Sequence, residues 1–291
     1  MKKSSINSAK SEYITFSGSA PLLCIAKLGL VSRDYNKLYE NGYRDFSNSL
    51  AEVLQVLDDN GCDAVLFSLF GIIPRVDFQV ISLLKNLKNI NVVFLEEFEE
   101  KEKISAKNEK QIERENKRFV VYYCNKNSGE WSRYIFNQQF STLTRQPIEK
   151  ILSFVKNELP RRILGNCLVL LCGETNGVKY SKKRNCVEDK TYGLRKAIPK
   201  EATIILNPIH DRMTRFEMKL KRSFLSENDR WIISVWNKGR KDRNGKKRDG
   251  LQPPWTVYHN GEEKKVALID NELGVDMVCL DFADHSHGFC V

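Results

Sequence analysis

Apolar segments that alternate with amphipathic ones are the feature that most constrains the fold of this chain. The run "PLLCIAKLGLV" predicts a short buried strand. "FSNSLAEVLQVLDDNG" predicts a helix, because its apolar residues from Leu50 to Leu57 share one helical face and Gly61 follows as a stop. "CDAVLFSLFGIIP" and "NINVVFLEEF" predict two more strands, with a helix at "FQVISLLKNLKN" between them. Strands that alternate with helices in this way predict layered α/β packing.

The second half of the chain continues the alternation and adds two hairpins. "RFVVYYCN" and "SRYIFNQQF" flank the turn "KNSGEW", which predicts the first hairpin, and "IEKILSFVKNELP" predicts a helix that ends at Pro160. Four strand-like runs follow, with a helix predicted at 213–226 before the third: "NCLVLLCG", "ATIILNPI", "RWIISVWNKG" and "TVYHNGEEKKVALIDNE". The last run contains the turn "HNGE" and predicts the second hairpin.

The length and composition predict one large domain. A chain of 291 residues with 41% hydrophobic content buries a sizeable core. We assign this domain to residues 21–282, with a flexible N-terminal arm at 1–20 and a C-terminal tail at 283–291. Residues 99–117 are almost wholly polar and predict a charged, exposed insertion between core strands.

The cysteines and the apolar runs favour a cytoplasmic protein. The eight cysteines are scattered and lack the dense, regular spacing of a secreted disulfide framework. No window approaches the ~18 apolar residues that span a bilayer, and the basic start "MKKSSINSAKSEY" has no apolar segment behind it. We therefore expect a reduced compartment and no membrane partner.

The formal charge of +10 comes from 47 basic and 37 acidic residues, and two clusters concentrate it at 179–184 and 237–247. Solvated loops in a lysine-rich protein are one interpretation. The alternative is a nucleic acid or nucleoprotein partner, whose binding would weaken as the salt concentration rises.

The stretch "CLVLLCGETNG" places a thiol at the end of a predicted buried strand, since the apolar run ends in Cys172 and breaks at once into Gly173 and Glu174. The carboxyl end of such a strand, at a sharp turn, is where α/β folds expose reactive groups. A cysteine attacks only as the thiolate, so it requires a base or a cationic neighbour. A small buried apolar residue is the alternative interpretation of Cys172.

The element order, together with "LLCGETNG", resembles the carbon-nitrogen hydrolase (nitrilase) superfamily. Further stretches resemble segments of that superfamily and occur in the same order along the chain: "NGCDAVLF", "ATIILNPI", "WIISVWNKG" and "GLQPPWTVYHNGEE". The resemblance covers roughly residues 21–282 and implies an αββα two-sheet sandwich. It also implies that Cys172 is the nucleophile that forms an acyl-enzyme.

The resemblance implies two more catalytic groups that this chain lacks at the expected places. The general-base glutamate corresponds to Ser68 or Leu69, and neither side chain accepts a proton at neutral pH. The lysine that stabilises the oxyanion corresponds to residues 137–139, "NQQ", and no lysine occurs between residues 126 and 150. Without a base, a desolvated thiol of pKa ~8.5 is mostly neutral at pH 7.

Other acidic and basic residues are candidates for the missing roles. Glu174 is near Cys172 in sequence, although a carboxylate on a turn also serves to bond backbone N–H groups. His210 follows the strand "ATIILNPI" and is an alternative base. The candidate catalytic set is therefore Cys172, Glu174 and His210, with Glu96, Glu97 or Glu149 as substitutes if the register differs by a few residues.

No cofactor and no metal are predicted. The ending "DHSHGFC" and the triplet within "VEDK" contain ligand-type side chains, but the first is a terminal tail and the second is not carried by an apolar strand. The sequence also has no phosphate-binding glycine-rich loop and no GxSxG elbow.

Three functions remain open. The first is a nitrilase-fold protein with doubtful or altered activity that serves as a binding or assembly module, for which the resemblance implies a homodimer or a higher oligomer. The second is an active cysteine-dependent amidase or nitrilase that hydrolyses a non-peptide C–N bond. The third is a basic, nucleic-acid-associated component of a bacterial antiviral system, which rests on analogy between folds.

Overall fold

The computed structural model describes residues 20–34, 47–69, 77–98, 117–125, 128–140, 147–189, 191–210, 216–239, 244–245 and 252–282. The predictions for the N-terminal arm, the charged insertion and the C-terminal tail therefore lie outside the described residues, apart from residues 20 and 117.

The described chain forms fourteen strands and five α-helices. The strands are β1 (Lys27–Ser32), β2 (Ala64–Phe67), β3 (Val92–Phe98), β4 (Lys117–Cys124), β5 (Trp131–Phe136), β6 (Ile163–Leu164), β7 (Cys167–Val169), β8 (Lys179–Ser181), β9 (Cys186–Glu188), β10 (Ile204–Pro208), β11 (Trp231–Val235), β12 (Trp255–His259), β13 (Glu262–Lys264) and β14 (Asp276–Asp281). The α-helices are α1 (Ser47–Asp59), α2 (Asp77–Leu84), α3 (Ile148–Ser153), α4 (Leu194–Ala197) and α5 (Phe216–Ser226).

These strands build two six-stranded mixed sheets, so the prediction of an α/β protein is confirmed. The first sheet has the order β14-β1-β2-β3-β4-β5, and its strands β1, β2 and β3 are parallel. The second has the order β13-β12-β11-β10-β7-β6, with β7, β10 and β11 parallel. A separate two-stranded ribbon joins β8 to β9.

Three clusters of buried apolar side chains account for the packing. One contains residues of both sheets, for example Leu66 of β2 and Leu206 of β10. A second joins α1 and α2 to the first sheet, and a third joins α3 and α5 to the second sheet. Full burial of one such aliphatic side chain stabilises the fold by about 1.5–3 kcal/mol, so these clusters are the main source of stability for the two sheets and their helices.

Several elements differ from the predicted order, since the strand β6, the β8–β9 ribbon and the short helix α4 were not predicted. The strand β14 was not predicted, although it pairs antiparallel with β1 along six residues. The helix predicted to end at Pro160 instead passes from α3 through a π-helical turn (Phe154–Glu158) into a 3-10 turn (Leu159–Arg162) that contains this proline. Proline is tolerated in the first turn of a helix, where its missing N–H leaves no acceptor unpaired.

The cysteines differ from the expectation in one respect, since Cys24 is disulfide-bonded. The structure shows no disulfide at the other described cysteines, which are Cys62, Cys124, Cys167, Cys172, Cys186 and Cys279. The Sγ atoms of Cys62 and Cys279 lie 2.6 Å apart.

No described helix has both the length and the apolar composition needed to cross a bilayer.

Candidate functional site

The carboxyl ends of the parallel strands of both sheets meet at one edge of the molecule. Asn237, two residues after β11, accepts hydrogen bonds from the Arg33 backbone N–H at 3.0 Å and from Ser68 Oγ at 2.6 Å. Arg33 follows β1 and Ser68 follows β2. Side chains that follow parallel strands are where open α/β sheets build their sites, so we call this region the carboxyl edge and place the candidate site there.

Cys172 lies at this edge, three residues beyond the end of β7. Its side chain is 8% exposed and belongs to the apolar cluster between the sheets. The chain turns immediately after it, because Gly173 has φ +86°, a conformation that glycine adopts without steric cost. The last pair between β7 and β10 is Val169 with Leu206. Three residues further along both chains, this register places Cys172 level with Ile209, the residue before His210.

His210 follows β10 and contacts Glu96, which lies near the carboxyl end of β3 in the other sheet. His210 Nε2 and Glu96 Oε1 are 3.1 Å apart, and the two side chains are 13% and 5% exposed. A carboxylate at this distance orients an imidazole through its ring nitrogen. The structure thus brings His210 and Cys172 to the same edge and supplies a carboxylate for the histidine.

The neighbouring Glu97 points to the opposite face of β3, where it accepts hydrogen bonds from Tyr122 Oη and, at 3.2 Å, from Arg118 Nε. Alternation along a strand separates the two glutamates in this way. Glu149 lies exposed on α3. Of the three substitute carboxylates, Glu96 is the one that the structure joins to a candidate site residue.

Glu174 is fully buried in an ion pair with Arg162. Its Oε2 accepts from Arg162 Nη1 at 3.1 Å and from the Leu171 N–H at 2.8 Å. Its Oε1 accepts from Arg162 Nη2 at 3.2 Å and from the Gln139 N–H at 2.8 Å. Burial raises the pKa of this carboxyl, while the Arg162 charge and the two backbone N–H groups oppose the rise. With four donors engaged, Glu174 holds the turn after Cys172 in place and is badly placed to accept a proton from the thiol.

The segment 137–139 contacts the same turn from the other sheet. Gln138 Nε2 donates to the carbonyl oxygen of Cys172 and, at 3.0 Å, to that of Phe140. The Asn137 carbonyl accepts from Arg162 Nη2 at 2.7 Å. The window in which the resemblance implies a lysine therefore adjoins Cys172, and a neutral amide occupies it.

The position of the implied glutamate also holds a neutral group. Ser68 is buried and donates to Asn237, whose Nδ2 donates in turn to the Leu69 carbonyl at 2.7 Å. These bonds join the two sheets at the carboxyl edge, which is a structural role.

Arg222 on α5 is a site residue that sequence reasoning missed. The side chain is fully buried, and none of its three guanidinium nitrogens forms a hydrogen bond with a described residue. Burial lowers the pKa of Arg222 to about 10, and interaction with the ionisable side chains of Tyr258, Glu263 and Cys172 opposes that shift. Arg222 is therefore a buried positive charge within electrostatic reach of Cys172. The signal was present in the sequence, because Arg222 lies four residues after Met218 and three before Leu225, on the buried stripe of the helix.

Replacing Arg222 with methionine is expected to stabilise the protein and to slow reactions of Cys172. Methionine keeps the packing of the long stem but removes buried donors that have no acceptor among the described residues. A buried donor of this kind costs about 1–3 kcal/mol, so the free energy of unfolding should rise. Urea denaturation and alkylation of Cys172 by iodoacetamide measure the two effects. The control is Arg184→Met, since Arg184 is exposed and forms a surface ion pair with Glu188 at 2.7 Å. A destabilised Arg222→Met variant with unchanged alkylation would contradict this role.

The two basic clusters are only partly described. Residues 179–184 include β8, where Lys179 Nζ lies 4.7 Å from the centroid of the Tyr192 ring, and Arg184 in its surface ion pair. Of 237–247, the structure describes 237–239 and 244–245. Nucleic-acid binding by these clusters stays a prediction.

Within the described ranges, no group of three or more His, Cys, Asp or Glu side chains is arranged to hold a metal ion.

Comparison with known protein families finds no family that matches this chain, and comparison with curated proteins finds no match either. The resemblance to the nitrilase superfamily therefore stays a prediction.

Proposed function

We propose that this chain is a nitrilase-type αββα sandwich with altered chemistry, in which Cys172 attacks a carbonyl or nitrile carbon and His210 replaces the customary glutamate base. The pairing of His210 with Glu96, at the same carboxyl edge as Cys172, is the observation that carries this proposal. The substrate class is a non-peptide amide, nitrile or carbamoyl compound, as the resemblance implies.

The layers of the molecule support the fold assignment. The cluster shared by the two sheets and the two clusters that cover their outer faces with helices give the layer order helix, sheet, sheet, helix. The nucleophile candidate follows the parallel strand β7, and the strands β10 and β11 come after it in the same sheet, which is the order that the resemblance implies.

For an amide substrate the chemistry would proceed in two halves. His210 takes the proton of the Cys172 thiol, and the thiolate forms a bond to the carbonyl carbon. The tetrahedral intermediate collapses, the C–N bond breaks, and the leaving nitrogen takes the proton from His210. Water then gives a proton to His210 as it attacks the thioester. The C–S bond breaks as the sulfur takes that proton from His210, which releases the acid and restores the Cys172 thiol. Glu96 keeps the imidazole oriented through both halves.

Arg222 would act through charge alone in this scheme. Its buried guanidinium favours the thiolate and the negative charge that develops on the carbonyl oxygen, a role that the customary lysine fills in the family. It is therefore a positioning and electrostatic residue, with no contact to substrate assigned to it.

The test is selective alkylation of Cys172 by iodoacetamide, mapped by mass spectrometry of peptides. A thiol that is fully ionised at pH 7 offers roughly 30-fold more thiolate than one with a pKa of ~8.5. We therefore expect Cys172 to react faster than Cys186, although Cys172 is buried and Cys186 is exposed. Cys167 is the internal control, because burial raises its pKa and should leave it unreactive. Equal rates for Cys172 and Cys167 would refute the proposal.

A noncatalytic binding or assembly module is the second candidate. It is favoured by the fact that the positions of the customary glutamate and lysine hold Ser68 and Gln138, both engaged in hydrogen bonds that join parts of the fold. An inert Cys172 in the alkylation experiment would favour this module. The homodimer or higher oligomer that the resemblance implies belongs to either candidate and is measured by analytical ultracentrifugation.

A further inference from the structure

We infer that a second site, at the edge opposite the carboxyl edge, binds the phosphate group of a small molecule. A cavity of about 710 Å³ opens there, near the starts of the parallel strands β10 and β11. Its lining residues are Asp189, Arg195, Lys196, Ile198, Lys200, Asn228 and Arg230. We call it the basic cavity. Its volume is in the range of small-molecule sites.

Four of the seven lining residues are cationic, and the carboxylates of Asp189 and Glu227 offset only part of that charge. Asp189 is the acidic residue of the lining, and its oxygens accept the N–H groups of residues 194–196 at 2.7–3.2 Å. Glu227 pairs with Arg195 at 2.7 Å, which compensates one of the four cations. Lys196 and Lys200 are exposed at the cavity and Arg230 lies at its inner side. The basic cavity therefore carries an excess of positive charge.

Arg230 is the residue that makes this a built site rather than a group of surface lysines. It is 5% exposed, and its Nη2 donates to the carbonyls of Ile198 at 3.1 Å and Pro199 at 3.4 Å. Its Nε is buried and has no hydrogen-bond partner among the described residues. A buried charged group with an unpaired donor is costly. Because Arg230 lines the basic cavity, an anion bound there would offset part of that cost through its charge.

The electrostatics favour the same ligand. Burial lowers the pKa of Arg230, and the positive charge of Arg195 lowers it further. An anion bound between them would offset both effects. Guanidinium groups match the geometry of phosphate oxygens, and two lysines at the rim add charge without fixed geometry. The concave shape suits a free phosphate, pyrophosphate or nucleotide better than the long backbone of a nucleic acid.

This site is independent of the proposed function, because it lies at the amino ends of β10 and β11 while Cys172 and His210 lie at the carboxyl edge. Failure of the alkylation experiment would leave it untouched.

Isothermal titration of the full chain with sodium pyrophosphate tests this inference. We expect binding that weakens as sodium chloride is added. Arg230→Gln should raise the Kd at least about tenfold, the factor given by loss of a hydrogen bond to a charged group. Lys200→Gln, at an exposed position that threatens folding less, should raise it by about three- to tenfold. Arg184→Gln removes an equal charge outside the basic cavity and should leave the Kd within about twofold of the wild-type value.

Parallel titrations with ADP and with a single-stranded oligonucleotide identify the source of the phosphate. Tighter binding of ADP than of pyrophosphate, with the same dependence on Arg230 and Lys200, would support a nucleotide. Three results would overturn the inference: no pyrophosphate binding at millimolar concentration, equal Kd values for the unchanged chain and both variants, or binding of the oligonucleotide alone.

Discussion

Replacing Glu174 with alanine is expected to lower the free energy of unfolding by about 3–5 kcal/mol, measured by urea denaturation. Both members of its pair with Arg162 are fully buried, and the alanine would leave the guanidinium charged in an apolar environment. It would also leave the N–H groups of Leu171 and Gln139 without their carboxylate acceptor. The expected loss comes from the groups that lose their acceptor. It does not require the ion pair itself to stabilise the fold. Burial raises the pKa of Glu174, which means that desolvation disfavours the carboxylate even though Arg162 is present.

Glu188→Ala is the matched control for Glu174→Ala. Glu188 also pairs with an arginine, but Arg184 is 56% exposed, and a surface pair of this kind contributes about 0–1 kcal/mol. A second comparison also removes the arginine charge that Glu174→Ala leaves unpaired. Arg162→Met combined with Glu174→Ala should lower the free energy of unfolding by less than the sum of the two single changes. If Glu174→Ala proved no more destabilising than Glu188→Ala, the buried pair would not be holding the turn after Cys172.

Local apolar patterns predicted most of the elements because each segment shows its buried face in its own sequence. The helix predicted across "FSNSLAEVLQVLDDNG" is α1, and the strand predicted at "NINVVFLEEF" is β3. The strand β14 shows where this reasoning fails. Its apolar residues alternate between two buried faces, and its partner β1 lies about 250 residues earlier in the chain, a pairing that no local pattern encodes.

The candidate site depends even more on distant parts of the chain. Cys172 and His210 were predictable because each follows an apolar run that ends abruptly. The sequence could not show which of Glu96 and Glu97 faces the candidate site. Both faces of β3 are covered by apolar side chains, and no local pattern tells which face meets the other sheet. The contact between Glu96 and His210 joins residues 114 positions apart, and only the packing of the two sheets creates it.

His210→Gln is expected to reduce the rate at which Cys172 is acylated by 4-nitrophenyl acetate by roughly 100- to 10,000-fold, the usual contribution of a general base. Glutamine keeps a hydrogen-bonding side chain near Glu96 but takes no proton from the thiol. Release of 4-nitrophenolate in a single turnover gives the rate, and the mass of the intact chain shows the acetyl group on the protein. Cys172→Ser identifies the acylated residue, because that variant should lose the fast phase.

His259→Gln separates a catalytic effect from a structural one. His259 also faces a carboxylate, Asp229, at 2.9 Å, but it ends β12 beside the start of β11, at the opposite edge of the second sheet. Its replacement should leave acylation unchanged. Glu96→Gln should cause a smaller loss than His210→Gln, because it removes the carboxylate that orients the imidazole but leaves the base in place. Equal rates for the His210 and His259 variants would show that the thiol at position 172 reacts without a base, and the noncatalytic module would then be the better account of this fold.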